Sequence, residues 1–430
     1  MKLVRPQPIG LAPFPVGHLL LPEIGAPDHL LDALLHGDFD IALPGEWQFL
    51  ARAFHGDPAG AHQAIAHDDS LIGRYNRFLL RPHRTAYDRL SMESGGALQP
   101  LVRAAGYAFG FEETPPSAET LDGELFALVR SVEASALIEA ESPFEAAGLL
   151  QEAIEAAQPV SPLLAAVLLN QLGELRLSLP GSSGSVAALC FRKGIDLAGE
   201  TPLPMLRAQL WTNLGVALQQ NADGHRAGLL EAIRCYQRAL QLGIDRRSEP
   251  RSYAFIHNNL GLAYMAMPAV EASDQLRMGI AVQSFREALS VFDREQHPQF
   301  WASVQLNLAN ALQYLPSSHP AENLAMAVDA YEEVLRVRDK ALDPVGYART
   351  VLNQGNALAH LGAFPKAVEQ LREAYRLFHA HGYSDEAETA RQLIDQIERR
   401  RREAASAVAG DGCSDPSQET EYRLVTPDES

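Results

Sequence analysis

Five primary amides recur through the middle of the chain in near-constant register: Gln171, Asn213, Asn259, Asn307 and Asn353. The steps between the asparagines are 46 (213 to 259), 48 (259 to 307) and 46 (307 to 353). Asn310 and Asn356 add a second amide one helical turn later in two of the copies. A primary amide both donates and accepts hydrogen bonds, so a row of them can pair with an extended backbone whatever its sequence. Asn is also a poor helix-interior residue, costing on the order of half a kcal/mol relative to Ala. Something must offset that cost in each copy. The backbone of a bound peptide could do so, and so could a loop carbonyl of a neighbouring repeat.

Other residue types that could do chemistry lack the spacing for it. His55, His62 and His67 lie 7 and 5 apart. Seven would align on one unbroken helix, but Asp57-Pro58 interrupts it, and five does not align. His379 and His381 flank a turn. There is no HExxH or Cys/His set, so these read as exposed or capping histidines. Gly181-Ser182-Ser183-Gly184-Ser185 lacks the Lys-Ser/Thr ending of a phosphate loop, a preceding strand, and the GxSxG order of a nucleophile elbow. Glu112-Glu113 and Glu332-Glu333 read as solvated faces. The four arginines from Arg399 to Arg402 close a helix, where cations complement its dipole. Gripping an acidic partner or nucleic acid is their other use. No constellation supports catalysis, and no cofactor or metal is expected. An enzymatic site could hide only in the irregular N-terminal region.

The elements that carry the amides are written four times. Each Asn lies on a first helix: Asn213-Leu214-Gly215, Asn259-Leu260-Gly261, Asn307-Leu308-Ala309 and Asn353-Gln354-Gly355. A second helix follows with Ala232, Tyr236 and Ala239; then Ala281, Phe285 and Ala288; then Ala327, Tyr331 and Val334; then Ala367, Leu371 and Ala374. Apolar positions at i, i+1, i+4, i+7 and i+8 make one face of a 3.6-residue helix. A single hairpin cannot bury that face, so neighbours must stack. Gly or Ala at the close-contact positions admits the neighbouring helix. Trp211, Tyr264, Phe285 and Tyr331 fill the space beside them.

These residues resemble a tetratricopeptide repeat. The first copy reads Trp211, Leu214-Gly215, Leu218, Ala232, Tyr236, Ala239; the last reads Val351, Gln354-Gly355, Leu358, Ala367, Leu371, Ala374. From Gly355 to Ala367 is 12 residues, the spacing of an uninterrupted repeat, but the interval is 17 from Gly215, 20 from Gly261 and 18 from Ala309. The first three copies are therefore lengthened at the turn between their helices. A degenerate earlier copy reads Leu169, Leu172-Gly173, Ala187, Phe191, Gly194, with Arg176 where an aromatic or Leu is expected. The resemblance covers roughly residues 161–380. It implies an all-α fold, a right-handed solenoid preceded by an irregular helical N-terminal domain. It further implies a concave groove lined by first helices. There Gln171, Asn213, Asn259, Asn307, Asn310, Asn353 and Asn356 would hold a peptide or protein segment, and the chain would act as an adaptor, scaffold, chaperone or assembly factor. A regulatory protein with a ligand-responsive N-terminal domain is the alternative.

Composition bounds the partners. Hydrophobic residues make up 47% and charged residues 21%, which fits a folded chain. The net charge of −18 opposes binding to nucleic acid or to an anionic membrane surface. Cys190, Cys235 and Cys413 form no CxxC pair and suit a reducing cytoplasm, with Cys190 and Cys235 as small core residues. Pro6, Pro8, Pro13 and Pro15 interrupt any secretory signal after Lys2 and Arg5, and no apolar run approaches the ~18 residues of a membrane span.

In chain order, residues 1–27 read as an apolar, Pro-rich arm lying against the first helices. Irregular helices follow to about residue 120, with a boundary in 111–120. The repeats and a sealing helix occupy 121–407, opening with a hairpin whose signature is lost. Residues 408–430 read as disordered, with Tyr422 to Thr426 a strand-capable island within them.

Overall fold

Side-chain caps start three helices of the N-terminal region. The computed structural model describes residues 41–54, 56–180, 184–199, 203–268 and 275–410, together with 19–20, 29–30 and 33. A 3-10 turn at Gly45–Trp47 leads into α1 (Gln48–Phe54), followed by α2 (Pro58–Ala64), α3 (Leu71–Leu80), α4 (Arg84–Glu93) and α5 (Leu98–Ala108). Asp57 caps α2 by accepting from Gly60 N at 2.8 Å, Ser70 caps α3 through Gly73 N at 3.0 Å, and His83 Nδ1 caps α4 through Ala86 N at 3.1 Å. Trp47, Phe49, Tyr75 and Phe78 form the centre of an apolar cluster, each 1% exposed or less. Leu19 and Leu20 are buried in the same cluster. The buried Asn76 accepts from Leu20 N–H and donates to its carbonyl, both at 2.7 Å, so this piece of the N-terminal arm is held through its backbone. The rest of the arm lies outside the described residues.

The remaining helices come in pairs: α6 (Gly123–Glu139) with α7 (Pro143–Ala157), α8 (Pro162–Ser178) with α9 (Gly184–Ala198), and α10 (Pro204–Gln220) with α11 (Arg226–Gln241). Then come α12 (Pro250–Ala266) with α13 (Gln275–Leu289), α14 (Pro298–Gln313) with α15 (Pro320–Leu335), α16 (Pro344–His360) with α17 (Phe364–Ala380), and finally α18 (Ser384–Gly410). The chain divides into two compact units, Met1–Ile244 and Asp245–Ser430. Within each unit consecutive helices of the array pack on one another. First helices of successive hairpins also touch: α8 with α10 in one unit, α12 with α14 and α14 with α16 in the other. This is an all-α, tetratricopeptide-like arrangement of stacked hairpins, with no strand among the described residues. α18 packs on α17 and α16 and buries Ala387, Ala390 and Ile397, as a sealing helix should.

The repeat motif works through one contact. A Cβ added to Gly173, Gly215 or Gly261 would lie 2.4, 2.5 or 2.5 Å from the ring of Phe191, Tyr236 or Phe285. These rings are fully buried at 0% exposure. The first helix gives up a side chain so that the second helix can seat its ring against bare backbone. Gly355 does the same for Leu371, at 2.9 Å. The degenerate copy obeys the rule too, since Gly173 faces Phe191 and Gly194 faces Leu210. Trp211 and Tyr264 are half-buried, outside this set.

A second periodic device joins hairpin to hairpin. The connections 242–249, 290–297 and 336–343 are eight residues each. Each contains Asp five residues before the proline that opens the next helix: Asp245 and Pro250, Asp293 and Pro298, Asp339 and Pro344. Asp245 Oδ1 accepts from Arg247 N (2.6 Å) and Ser248 N (2.9 Å), and Asp293 Oδ1 from Glu295 N (2.9 Å) and Gln296 N (2.7 Å). Asp339 Oδ1 accepts from Ala341 N at 2.7 Å. Each Asp carbonyl also accepts from the residue just before the proline, at 2.8–3.0 Å. The side chain folds the backbone back on itself in an Asx turn, and proline at the first helical position starts the helix with φ already set.

Between α5 and α6 the chain turns through 111–120, where the boundary is expected. The N-terminal apolar cluster nonetheless extends past it, since Leu128, Leu163 and Leu203 belong to the same buried set. The 181–183 part of the Gly-Ser loop, Cys413 and the 422–426 island lie outside the described residues.

Candidate functional site

The amides sit on first helices, and each asparagine's helix packs on another first helix, so other amides are among their polar neighbours. In the first unit, Asn213 on α10 donates to Asn170 Oδ1 at 2.9 Å and to Glu174 Oε1 at 2.7 Å, both on α8. Glu174 Oε1 also receives Asn170 Nδ2 (3.0 Å) and Gln209 Nε2 (3.2 Å), gathering three amides on one carboxylate oxygen. Gln171 is exposed. With Glu174, Ile138 and Leu175 it lines a cleft of about 380 Å³.

In the second unit, Asn307 on α14 donates to Asn258 Oδ1 on α12 at 3.0 Å, and Asn258 donates to Asn259 Oδ1 at 3.4 Å. Asn353 on α16 donates to Asn310 Oδ1 on α14 at 2.9 Å. That oxygen also accepts the Tyr331 hydroxyl at 2.7 Å, and Gln313 Nε2 donates to the same hydroxyl. Asn356 reaches Gln313 Oε1 at 3.4 Å. Six of the seven amides expected from the sequence therefore take part in amide bonds, five of them across first helices: Asn213, Asn307, Asn310, Asn353 and Asn356. Asn310 and Asn353 bond to each other.

Asn170, Glu174, Gln209, Asn258 and Gln313 complete this network and are absent from the sequence expectation. The available signal is a polar residue on the preceding first helix 43 or 49 positions upstream: 170 to 213, 310 to 353, 313 to 356, and 258 to 307. These bonds supply the compensation that an asparagine in a helix interior requires. A hydrogen bond contributes a net ~0.5–1.5 kcal/mol, enough to outweigh the propensity loss of about half a kcal/mol. Each bond also fixes its amide's rotamer. Asn307 and Asn353 have a second N–H and both carbonyl lone pairs beyond the bond that anchors them, while Asn213, with its two donor bonds made, has its carbonyl.

Three titratable groups on the array's helices are shifted chiefly by burial. Burial holds His257 below its usual pKa against the opposing pull of Glu287, and holds His360 down with help from Arg400. The Cys235 thiol is pushed up to about 12, by burial first and then by Glu231, so it stays protonated and unreactive at neutral pH. No group of three or more His, Cys, Asp or Glu suited to a metal ion occurs among the described residues. No described helix is long and apolar enough to cross a membrane.

No family model matches the chain, and no curated protein matches it. Among solved structures it is similar to BtubC from P. vanneervenii, at 19% identity and TM-score 0.37, covering 70% of this chain and 98% of that one. It is also similar to YrrB, a TPR protein with an unusual peptide-binding site, at 16% identity and TM-score 0.35, covering 56% and 97%. A Rap protein complexed with Competence and Sporulation Factor matches at 12% identity and TM-score 0.43, covering 86% and 98%. The paired helices, the glycine-to-ring contacts and the bonded first helices of each unit make this chain a TPR-like helical-repeat protein.

Proposed function

We propose that the chain is a non-catalytic adaptor or assembly factor that binds an extended peptide or protein segment along its first helices. The observation that carries this reading is the amide network. Within each unit its members sit on successive first helices, at and beside the recurring asparagine positions, and are held in place by bonds to one another. Most keep a carbonyl oxygen or a second N–H for a further partner. A peptide backbone presents alternating donors and acceptors, which such a row matches without regard to side chains.

The test begins with a peptide library displayed on phage and selected against the whole chain. Each replaced amide removes up to two hydrogen bonds to a bound backbone, at ~0.5–1.5 kcal/mol each. Asn259→Ala with Asn307→Ala is therefore expected to weaken the selected peptides at least about tenfold, the equivalent of ~1.4 kcal/mol. Unchanged affinity, with or without a drop in melting temperature, would end the reading for these asparagines.

A further inference from the structure

The N-terminal helices carry a cavity outside the repeat array. Its volume is about 260 Å³, and it is lined by Arg74 and Arg77 of α3, by His83 and Arg89 at the start and along the face of α4, and by His62 of α2. No Asp or Glu is among its lining residues, in a chain with 54 acidic residues against 36 basic ones. Phe78 and Leu90, both buried, form an apolar wall of the same cavity.

The cations are held in place by the fold. Arg77 Nη1 donates to the carbonyls of Ile65 (2.9 Å), Ala66 (3.2 Å) and Asp68, and Nη2 pairs with the exposed Asp69 at 3.2 Å. Arg74 pairs through Nη1 with Glu93, while its Nε is buried with no acceptor among the described residues. A buried N–H of a charged group without an acceptor is costly. The pKa of His62 is held below its usual value, by burial first and then by Arg81, Arg77 and His83, which marks a positive local field. The first turn of α4 adds its partial positive charge at the cavity mouth.

Three arginines and two histidines lining one cavity suit a compact anion, because guanidinium forks match phosphoryl oxygens in charge and geometry. The volume is below the range of drug-sized sites, roughly 300–1,000 Å³. We propose that this cavity binds a small organic phosphate, with its phosphoryl group among Arg74, Arg89 and His83 and its apolar part against Phe78 and Leu90. The site is independent of the first-helix amides, and it gives the protein a small-molecule input separate from its peptide partner.

The experiment is calorimetric titration of the whole chain at fixed ionic strength with phenyl phosphate, inorganic phosphate and succinate. Phenyl phosphate is expected to bind saturably at one site and several-fold more tightly than inorganic phosphate. Arg89→Gln replaces an exposed side chain; it is expected to leave the melting temperature unchanged and weaken phenyl phosphate about tenfold. Arg74→Lys keeps the charge but loses the fork, and is expected to weaken it as well. Should Arg89→Gln melt early, Arg89→Glu, compared with Arg89→Lys at equal melting temperature, carries the same test. The proposal is overturned by the absence of saturable phenyl phosphate binding, by succinate binding more tightly, or by wild-type affinity in the Arg89 variants.

Discussion

Asn310 collects two donors on one oxygen, the hydroxyl of Tyr331 on its own hairpin's second helix and the amide of Asn353 on the next first helix. Deleting both Asn310 and Asn353 side chains should therefore cost less than the sum of the single deletions. A double-mutant cycle with Asn310→Ala and Asn353→Ala is expected to give a coupling of about 0.5–1.5 kcal/mol in denaturant unfolding. Coupling near zero would mean that the bond contributes nothing to stability. A different residue sets an acid limit. Burial alone would raise the pKa of Glu112, but hydrogen bonds from Arg103 (3.1 and 3.2 Å) and from the Tyr87 hydroxyl outweigh it and hold the carboxyl below its usual range. A depressed folded pKa contributes stability that is fully present above the unfolded value of about 4.3 and is lost as pH falls through the folded one. Glu112→Gln should lower stability at pH 7 and flatten its fall across this acid window, as measured by urea unfolding at stepped pH. The amides were visible in the sequence because they recur, but their partners were not. A repeat marks positions, whereas a bond between hairpins depends on which side of each helix faces its neighbour. Asn170 and Asn258 are each one residue from the recurring amide register, about 100° around the helix.

At the scale of elements, the glycine-to-ring contact reverses a common expectation. Gly→Ala inside a helix usually stabilises by about 0.5–1 kcal/mol. At Gly261 the new methyl would meet the buried ring of Phe285 at 2.5 Å, and overpacking of this kind costs ~1–3 kcal/mol. Gly261→Ala is expected to lower the melting temperature. Gly279→Ala, on the partner helix α13 with nothing within 4 Å, is expected to raise it. Both changes having one sign would contradict the packing argument. The hairpins were legible because small and large residues keep fixed offsets within each helix, as in Ala232, Tyr236 and Ala239 or Ala281, Phe285 and Ala288, and this leaves a trace in the sequence. The prolines at 162, 204, 250, 298 and 344 repeat as regularly as the asparagines and mark the start of each first helix, yet a search for apolar periodicity passes over them. The Asx turns were illegible for another reason, since Asp in a polar connection is common and only the bonded backbone distinguishes these three.

For the whole molecule, the division of the chain is the testable property. Residues 245–407 contain three hairpins and the sealing helix, and they belong to one of the two compact units, Asp245–Ser430. This fragment is expected to melt cooperatively by circular dichroism. Ending it at residue 383 uncovers Leu358, Val368 and Leu371, which share a cluster with Ile397 of α18, and should lower its midpoint. We further propose that 121–407 folds without the N-terminal region. Because Leu128, Leu163 and Leu203 lose their cover, it should melt below the full chain. A 121–407 fragment without cooperative helical melting would remove the proposed division near residue 120.

Within Asp245–Ser430 the eight-residue connections also separate places where chain length is fixed from places where it is free. The turns inside hairpins differ from copy to copy, with five residues at 221–225, six at 314–319 and three at 361–363, whereas 290–297 and 336–343 keep one length and one Asx turn. The hairpin turns therefore offer sites for grafting. Lengthening a flexible loop costs only ~0.6 kcal/mol per doubling, so a six-residue Gly-Ser insert between Ser317 and Ser318 should leave the melting temperature nearly unchanged. The same insert between Glu295 and Gln296 breaks the turn that Asp293 holds. The side-chain bond from Gln296 N and the backbone bond from His297 N to the Asp293 carbonyl, at about 0.5–1.5 kcal/mol each, together with the approach of α14 to α13, would be lost. A binding loop or a fluorescent label can thus be added at the hairpin tips while the joints between hairpins keep their spacing.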